Sequence, residues 1–248
     1  MQPKRPRRKR ATTRTQRPWI PVSLVGGTAI LVVALIVVLS NVFGGDSGNS
    51  GSIVDSGLSH SSPQEGAVLG QPNAPLTMIE YFRFDCSHCA DYALQTAPQV
   101  EKDYVDAGKL RIEERALAVA SQADLLNASQ AALCAGEQGR YFDYYDLVFA
   151  NQALGFTLDN LKQYAQKLNL DTGAFNSCLD SKKYEQSVVD ETNKAVGVGI
   201  NSTPTFFIGG TKAIGAASPP YTGFTQVPGA QPYSEFKKAI DAELAKPQ

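Results

Sequence analysis

The sequence predicts an α/β fold with a helical insertion, preceded by a single N-terminal transmembrane helix. From about residue 67 onward the predicted elements follow the order strand, helix, strand, helical block, hairpin and helix. Before them, residues 18–43 form an uncharged and mostly apolar run, and a Cys-x-x-Cys motif stands where the first strand meets the first helix. Strands that alternate with helices are expected to form a sheet covered by helical layers.

The strands are predicted from short apolar runs. Residues Leu76–Phe82 form a continuous apolar run of the kind found in buried strands, whereas Leu110–Ala116 alternates between apolar and polar residues. Residues 205–208 and 211–214 flank Gly209-Gly210. Two such runs around a two-residue glycine turn predict a β-hairpin.

The helices are predicted from apolar residues that recur every three or four positions. This pattern starts at Cys86, contains Pro98, which should kink the helix, and stops before Gly108. Residues 123–198 have the helical pattern in several stretches and predict a helical insertion, and residues 233–245 predict a closing amphipathic helix.

The N-terminal region has the charge pattern of a membrane anchor. Residues 1–17 carry eight basic side chains and no acidic one, and residues 18–45 carry no charge. The 24 residues from Ile20 to Phe43 would span about 36 Å as a helix, enough for a hydrocarbon core of about 30 Å. The basic side stays in the cytoplasm. The sequence therefore predicts a cytoplasmic tail at 1–17, an anchor at 18–43 and an extracytoplasmic remainder.

Two other interpretations of this region are weaker. A cleaved signal peptide has a shorter apolar stretch and a small-x-small cleavage site, which residues 39–43 do not offer. A nuclear signal leaves the apolar span unexplained. Nucleic acid is not an expected partner, because the chain after residue 17 carries 15 basic against 24 acidic residues and repels phosphate.

Residues 44–66 are rich in glycine and serine and have almost no periodic apolar content. This composition is typical of a flexible linker. We therefore predict a linker at 44–66, which would include His60, and a folded domain at 67–248.

The motif Cys86-Ser87-His88-Cys89 carries the predicted chemistry. On the first turn of a helix the i, i+3 spacing brings two sulfurs within bonding reach, and free backbone N–H groups there stabilise a thiolate at the first cysteine. The alternative is half of a zinc site, which would need two more ligands from Cys134, Cys178 or His88. Those cysteines stand singly and far apart, so we predict a redox pair and no metal.

With this motif the sequence resembles the DsbA-like proteins of the thioredoxin fold. The resemblance covers residues 67–248. It implies a thioredoxin core, oxidation of cysteine thiols in exported proteins, no cofactor, and re-oxidation by a membrane partner of the quinone-linked oxidase type. One departure is Ser87, where many members have proline. The matching segments are Pro72-Asn73-Ala74-Pro75, Glu80-Tyr81-Phe82, Cys86-Ser87-His88-Cys89 and Ser202-Thr203-Pro204-Thr205-Phe206-Phe207.

The resemblance also implies roles for three groups near the motif. His88 would help to stabilise the Cys86 thiolate, unless it is merely an exposed helix residue. Glu80 would lie beneath the disulfide and take the proton from Cys89, unless it is a solvated strand-edge residue. Thr203-Pro204 would form a cis-proline loop that presents the Thr203 backbone to substrate, the alternative being a trans proline that begins a strand.

Cys134 and Cys178 complete an even number of cysteines, which in an oxidising compartment suggests a bridge. The helical insertion resembles that of family members with such a second, structural disulfide. Two buried free thiols are the alternative.

The leading functional prediction is a disulfide oxidase for exported chains. An isomerase or reductase kept reduced by another partner is the nearest alternative, although such proteins usually dimerise through an added N-terminal domain. A redox-silent peptide-binding module is the alternative from another class, but such modules usually lose one or both cysteines. Glutathione transfer on a related scaffold would favour a serine nucleophile in place of Cys86.

Overall fold

The computed structural model describes residues 52–219 and 221–246. The predicted tail at 1–17, the anchor at 18–43 and the first part of the predicted linker lie outside the described residues. Within the described ranges, no helix has both the length and the apolar character needed to cross a membrane.

The centre of the fold is a six-stranded mixed sheet with strand order β1-β2-β4-β3-β5-β6. Strand β3 pairs parallel with β4 and antiparallel with β5, and the remaining neighbours pair antiparallel. The parallel pair needs a crossover connection, which a helical segment provides. The strands are β1 (Gln64–Glu65), β2 (Val68–Leu69), β3 (Leu76–Phe82), β4 (Leu110–Ala116), β5 (Thr205–Gly210) and β6 (Thr225–Pro228).

Both strands predicted from apolar runs are confirmed. All seven residues of β3 are buried, because this central strand is covered on both faces. In β4 alternate residues, Leu110, Ile112 and Glu114, are buried, and the residues between them are half-buried. The continuous apolar run therefore correctly predicts a strand buried on both faces, and the alternating run correctly predicts a strand buried on one face.

Nine α-helices cover the sheet within the described residues. The first segment runs from Ser87 to Val105 and contains two π-helical stretches, Tyr92–Thr96 and Glu101–Val105, with Pro98 in the short helix between them. The predicted insertion at 123–198 and the closing helix are confirmed. The helices are α1 (Ser87–Asp91), α2 (Ala97–Val100), α3 (Ala123–Gly136), α4 (Tyr141–Ala150), α5 (Leu158–Lys167), α6 (Thr172–Asp180), α7 (Glu185–Gly197), α8 (Thr211–Ala216) and α9 (Tyr233–Leu244).

The predicted glycine hairpin is wrong. Strand β5 continues through Gly209 and Gly210, α8 begins at Thr211, and the antiparallel partner of β5 is β6. A side chain at Gly209 would place its Cβ 2.2 Å from the Phe224 ring, so this glycine permits close packing where a turn was predicted. The Thr211 backbone N–H then donates to Pro75 O at 2.8 Å and fixes the end of the strand.

The linker prediction is wrong for the segment from Ile53 onward. The Asn151 side chain accepts from Val54 N at 2.7 Å and donates to Val54 O at 2.8 Å, so it holds the segment as a strand partner would. Ile53 packs against the core, and β1 and β2 extend the sheet. Backbone pairing and a few buried side chains hold this segment, and neither feature requires an apolar composition.

His60, assigned by sequence to the linker, lies in the same segment and is buried. Its Nδ1 is 2.8 Å from Glu101 Oε2 and its Nε2 is 2.9 Å from Asp146 Oδ2. The side chain is only 3% exposed. Burial alone would lower the pKa of His60, but the hydrogen bonds to Asp146 and Glu101 outweigh it and raise that pKa to about 10. A protonated imidazole therefore fastens the N-terminal segment to the first helical segment and to α4.

A disulfide joins Cys134 of α3 to Cys178 of α6, with an S–S distance of 2.01 Å. Both residues are buried in the helical insertion. A bridge across a sequence separation of 44 residues is worth about 4 kcal/mol in the chain-entropy model. It ties together the two helices that lie on either side of α4 and α5 in the sequence.

Candidate active site

The two remaining cysteines lie at the end of β3, where the chain turns into α1. Cys86 is the N-cap residue of α1, with extended backbone angles, and its Sγ accepts a hydrogen bond from Cys89 N at 3.3 Å. A cap sulfur receives helix N–H groups that have no other partner. Cys86 is half-buried and Cys89 is fully buried. Only the first thiol is therefore accessible to a large partner.

The two thiols have opposite acidities. The hydrogen bond from the Cys89 thiol is the largest effect that lowers the pKa of Cys86 to about 5, and Thr203 and the backbone N–H groups of Cys89 and His88 add to it. Burial raises the pKa of Cys89 far above its usual range, and the negative charges on Cys86 and Glu80 raise it further. At neutral pH the pair therefore holds one thiolate at the surface and one protonated thiol inside.

The loop before β5 faces the exposed sulfur. The Thr203-Pro204 peptide bond is cis, and Thr203 O lies 3.4 Å from Cys86 Sγ. Antiparallel pairing of β5 with β3 fixes this loop beside the motif, since Thr205 pairs with Tyr81. Sequence reasoning placed Thr203 and Pro204 here, and the structure brings them together with Cys86.

Glu80 lies in the buried strand below the motif and is fully buried. Burial raises its pKa well above the usual carboxyl range, although hydrogen bonds from Glu114 and Tyr145 oppose the shift. The Tyr145 hydroxyl donates to Glu80 Oε2 at 3.4 Å, and the rings of Phe82, Phe84 and Phe149 pack around Tyr145. The aromatic residues of α4 thus form the dry floor of the site.

His88 lies at the surface of α1. Its side chain is 75% exposed, and Nδ1 is 3.5 Å from Asp91 Oδ2. The contact from His88 that lowers the pKa of Cys86 is its backbone N–H. A role for the imidazole ring in stabilising the thiolate stays a prediction.

Glu114 of β4 was missed by the sequence analysis. It is directly opposite Glu80 across the parallel pair, and it is 6% exposed. Burial, followed by the charge on Glu80, raises its pKa well above the usual range. The available signal was the alternation of β4, because Leu110, Ile112 and Glu114 occupy the same face of the strand.

A cleft of about 330 Å³ opens beside Cys86 and Thr203. Its lining includes Val119, which is 40% exposed, and Val196, which is 55% exposed. A larger cavity of about 630 Å³ lies at the other end of β3, near Pro75 and Gly210, and none of the described residues that line it is a cysteine. Because Cys86 lines the smaller cleft, we place the redox chemistry there. Cys134 and Cys178 line neither of these openings.

The chain matches several known proteins in sequence and structure. A curated relative, the Na(+)/H(+) antiporter NhaA 3 of Salinispora tropica, is 30% identical over 60% of this chain, but the match spans only 22% of that protein. The "Probable disulfide bond formation protein D" of Bacillus anthracis is 22% identical over 72% of this chain and 78% of its own length. The crystal structure of alpha-DsbA1 from Wolbachia pipientis has a TM-score of 0.62 and 27% identity, and the match covers 77% of this chain and 96% of that one.

The family comparison covers most of the chain. A family model described as thioredoxin matches residues 62–242. That range contains all six strands, the Cys86–Cys89 motif, the Thr203-Pro204 loop and the helical insertion. The chain belongs to the thioredoxin family, and its described part has the fold of the DsbA-like oxidoreductases.

Proposed function

We propose that the protein is a DsbA-like thiol–disulfide oxidoreductase that oxidises cysteine pairs of exported proteins through Cys86 and Cys89. The observation that carries the proposal is the contrast between the two thiols: an accessible Cys86 with its pKa lowered to about 5, and a buried Cys89 with its pKa raised. The names of the relatives from Bacillus and Wolbachia support it. Antiport is not carried over to this chain, because the antiporter match spans only 22% of that protein.

The reaction begins with the Cys86–Cys89 disulfide and a substrate thiolate. The substrate sulfur attacks Cys86 Sγ, the Cys86–Cys89 bond breaks, and Cys89 leaves as a thiolate that takes a proton from the Glu80 carboxyl group. A second substrate thiolate then attacks the substrate sulfur of the mixed disulfide, and Cys86 leaves as a thiolate. The substrate loses two electrons, which the cysteine pair gains.

The cleft and the Thr203-Pro204 loop bind the substrate in this proposal. An extended segment of substrate would pair with the backbone at Thr203, next to the Cys86 sulfur that it attacks. The exposed apolar groups of Val119 and Val196 offer a contact surface to an unfolded chain.

The direction of the reaction follows from which redox form is stabilised. Hydrogen bonds to the Cys86 thiolate exist only after reduction, so they favour the reduced protein and make its disulfide a strong oxidant. We therefore favour an oxidase over an isomerase or a reductase. The redox-silent module is disfavoured by the intact pair of thiols.

The test is equilibration of the full chain, in detergent, with mixtures of reduced and oxidised glutathione. We expect a reduction potential nearer to about −120 mV, typical of a strong oxidant, than to about −270 mV, typical of thioredoxin. The same protein should also oxidise a reduced two-cysteine peptide faster than glutathione disulfide alone does. A thioredoxin-like potential would replace the oxidase by a reductase, and no exchange at all would remove the enzyme class.

The proposed location is the outer side of a membrane, with residues 18–43 as an uncleaved anchor and the N-terminus in the cytoplasm. The basic residues before the span and the uncharged run support it. A membrane-embedded oxidase of the quinone-linked type would then re-oxidise the cysteine pair. Protease added to intact cells should release a soluble fragment that contains Cys86, whereas a mature protein that is already cleaved and soluble would exclude the anchor.

A further inference from the structure

A second carboxyl group lies beside Glu80 and has no part in the reaction described so far. Glu80 and Glu114 are directly opposite each other in the parallel register of β3 and β4, and each is the fifth residue of a seven-residue strand. Their exposed fractions are 0% and 6%. Two neighbouring carboxyl groups in so dry a place cannot both be ionised at low cost.

The hydrogen bonding of the two groups indicates a shared proton. Glu80 Oε1 and Glu114 Oε2 are both buried, and as two carboxylate oxygens they find no hydrogen-bond donor among the described residues. A proton on Glu114 turns one of these oxygens into a donor and leaves the other as its acceptor, so one hydrogen bond satisfies both groups. The interaction between the two groups lowers the pKa of Glu80 and raises that of Glu114, as expected when Glu114 holds the proton.

Glu114 also connects the site to water. It lines a cavity of about 270 Å³ together with Tyr141, Ser187 and Glu191, and Ser187 at its rim is exposed. Glu80 and Cys89 are each 0% exposed. A proton released by Cys89 can therefore pass to Glu80 but needs a further group to reach solvent.

The tyrosines and the histidine around the pair keep their protonation state at neutral pH. Burial raises the pKa of the tyrosines that face it, so they stay neutral, and His60 stays charged between Glu101 and Asp146. The two glutamates are thus the groups between Cys89 and the cavity that can exchange a proton. The facing groups are Cys86 and Cys89 from the start of α1, Tyr92 and Glu101 from the same helical segment, Tyr141, Tyr145 and Asp146 from α4, and His60 from the N-terminal segment.

We propose that Glu114 passes protons between Glu80 and the cavity that it lines each time Cys89 changes between thiol and disulfide. Glu114 touches neither sulfur and acts through Glu80. The inference rests on the proposed oxidoreductase function and adds the route by which its proton leaves and returns.

The proton transfers accompany re-oxidation of the cysteine pair by a partner disulfide. With Cys86 already joined to one partner sulfur, the Cys89 thiol gives its proton to the Glu80 carboxylate, and Glu114 gives its own proton to water in the cavity. Cys89 Sγ attacks Cys86 Sγ, the Cys86–Cys89 bond forms, and the partner leaves as a thiolate. The partner gains the two electrons that the pair loses, and Glu114 recovers a proton from Glu80.

The test separates the two phases in which the reduced full chain reacts with glutathione disulfide. The first phase forms the mixed disulfide at Cys86, and the second is the attack by Cys89, which releases glutathione. Samples quenched with acid, alkylated and weighed by mass spectrometry report both. In Glu114→Gln, which keeps the shape but cannot carry the proton, we expect the second phase to slow by about 10- to 100-fold and to lose its pH dependence. The first phase should not change.

Two companion variants keep the result interpretable. Glu113→Gln removes one charge from the same strand and the same cavity but lies on the other face, bonded to Arg115, and should leave both phases unchanged. Glu114→Asp retains a carboxyl group and should restore much of the second phase. An unchanged second phase in Glu114→Gln, or a Glu114→Asp protein as slow as Glu114→Gln, would overturn the proposal. The wild-type reaction is the separate check on the function, because a chain that is not an oxidoreductase shows neither phase.

Discussion

Cys89→Ala should accumulate a mixed disulfide between Cys86 and substrate, whereas Cys86→Ala should accumulate almost none. Cys86 is the accessible thiolate, so it forms the bond to substrate. Cys89 is the buried thiol that breaks that bond, and its removal leaves the complex without an internal route to release. The reduced variant is mixed with a protein that contains an accessible disulfide: Cys86 attacks one of its sulfurs, the other leaves as a thiolate, and non-reducing gels after acid quench measure the trapped species. Turnover should be lost in both variants.

A matched control is the Cys134→Ala, Cys178→Ala double variant, which also removes two sulfurs but from the helical insertion. It should be less stable, yet it should still turn over and should trap nothing. The assignment of roles would be contradicted if alkylation of the reduced protein at about pH 6 labelled Cys89 before Cys86, because the pKa of Cys86 of about 5 leaves it ionised there.

His60→Ala should lower the free energy of unfolding by about 3–5 kcal/mol at neutral pH, because it leaves the buried Asp146 and the largely buried Glu101 without their cation. The side chains of Glu101 and Asp146 that bind it are 15% and 4% exposed. The folded-state pKa of His60 is raised to about 10, above its ordinary value of 6.5. Its contribution is therefore complete below about pH 6.5 and is lost as the pH rises through about 10. Chemical denaturation of the oxidised protein at several pH values measures the difference.

The natural control is His88→Ala. It removes the same side chain from a position that is 75% exposed, and it should change the unfolding free energy by no more than about 0.5 kcal/mol. If His60→Ala were as stable as His88→Ala at neutral pH, the buried ion pairs would not be what holds the N-terminal segment in place.

The elements that sequence patterns predicted well are those in which burial alone sets the pattern. Strands β3 and β4 and helix α9 end within one residue of the predicted limits, because one face of each is fixed by the core. The redox motif could also be predicted, since two cysteines three residues apart at a strand–helix junction have few functions other than redox chemistry or zinc binding.

The errors occurred where long-range contacts decide the local structure. Gly209-Gly210 has the composition of a turn, and only the Phe224 ring packed against Gly209 explains why the strand continues. The segment that contains His60 has the composition of a linker, and it is held by Asn151, Glu101 and Asp146, each of which is distant in sequence.

Of the two paired glutamates in the site, Glu80 could be predicted from the sequence and Glu114 could not. Glu80 could be identified by its distance from Cys86, but Glu114 becomes significant only once β3 and β4 are known to be parallel and in register. The alternation of β4 shows that Glu114 is on the buried face of the strand, but it does not show that Glu80 is its neighbour.

The two edges of the sheet offer little free backbone for another strand to pair with. One edge is the two-residue strand β1, and the other is the four-residue strand β6, which ends in Pro228 and so lacks one backbone donor. Short edges and proline give a foreign strand little backbone to extend. A protein that meets unfolded chains with exposed β-prone segments is constantly at risk of seeding aggregates with them. In the proposed reaction an extended substrate would pair with the backbone at Thr203 beside Cys86, and it would find little unpaired backbone at the edges of the sheet.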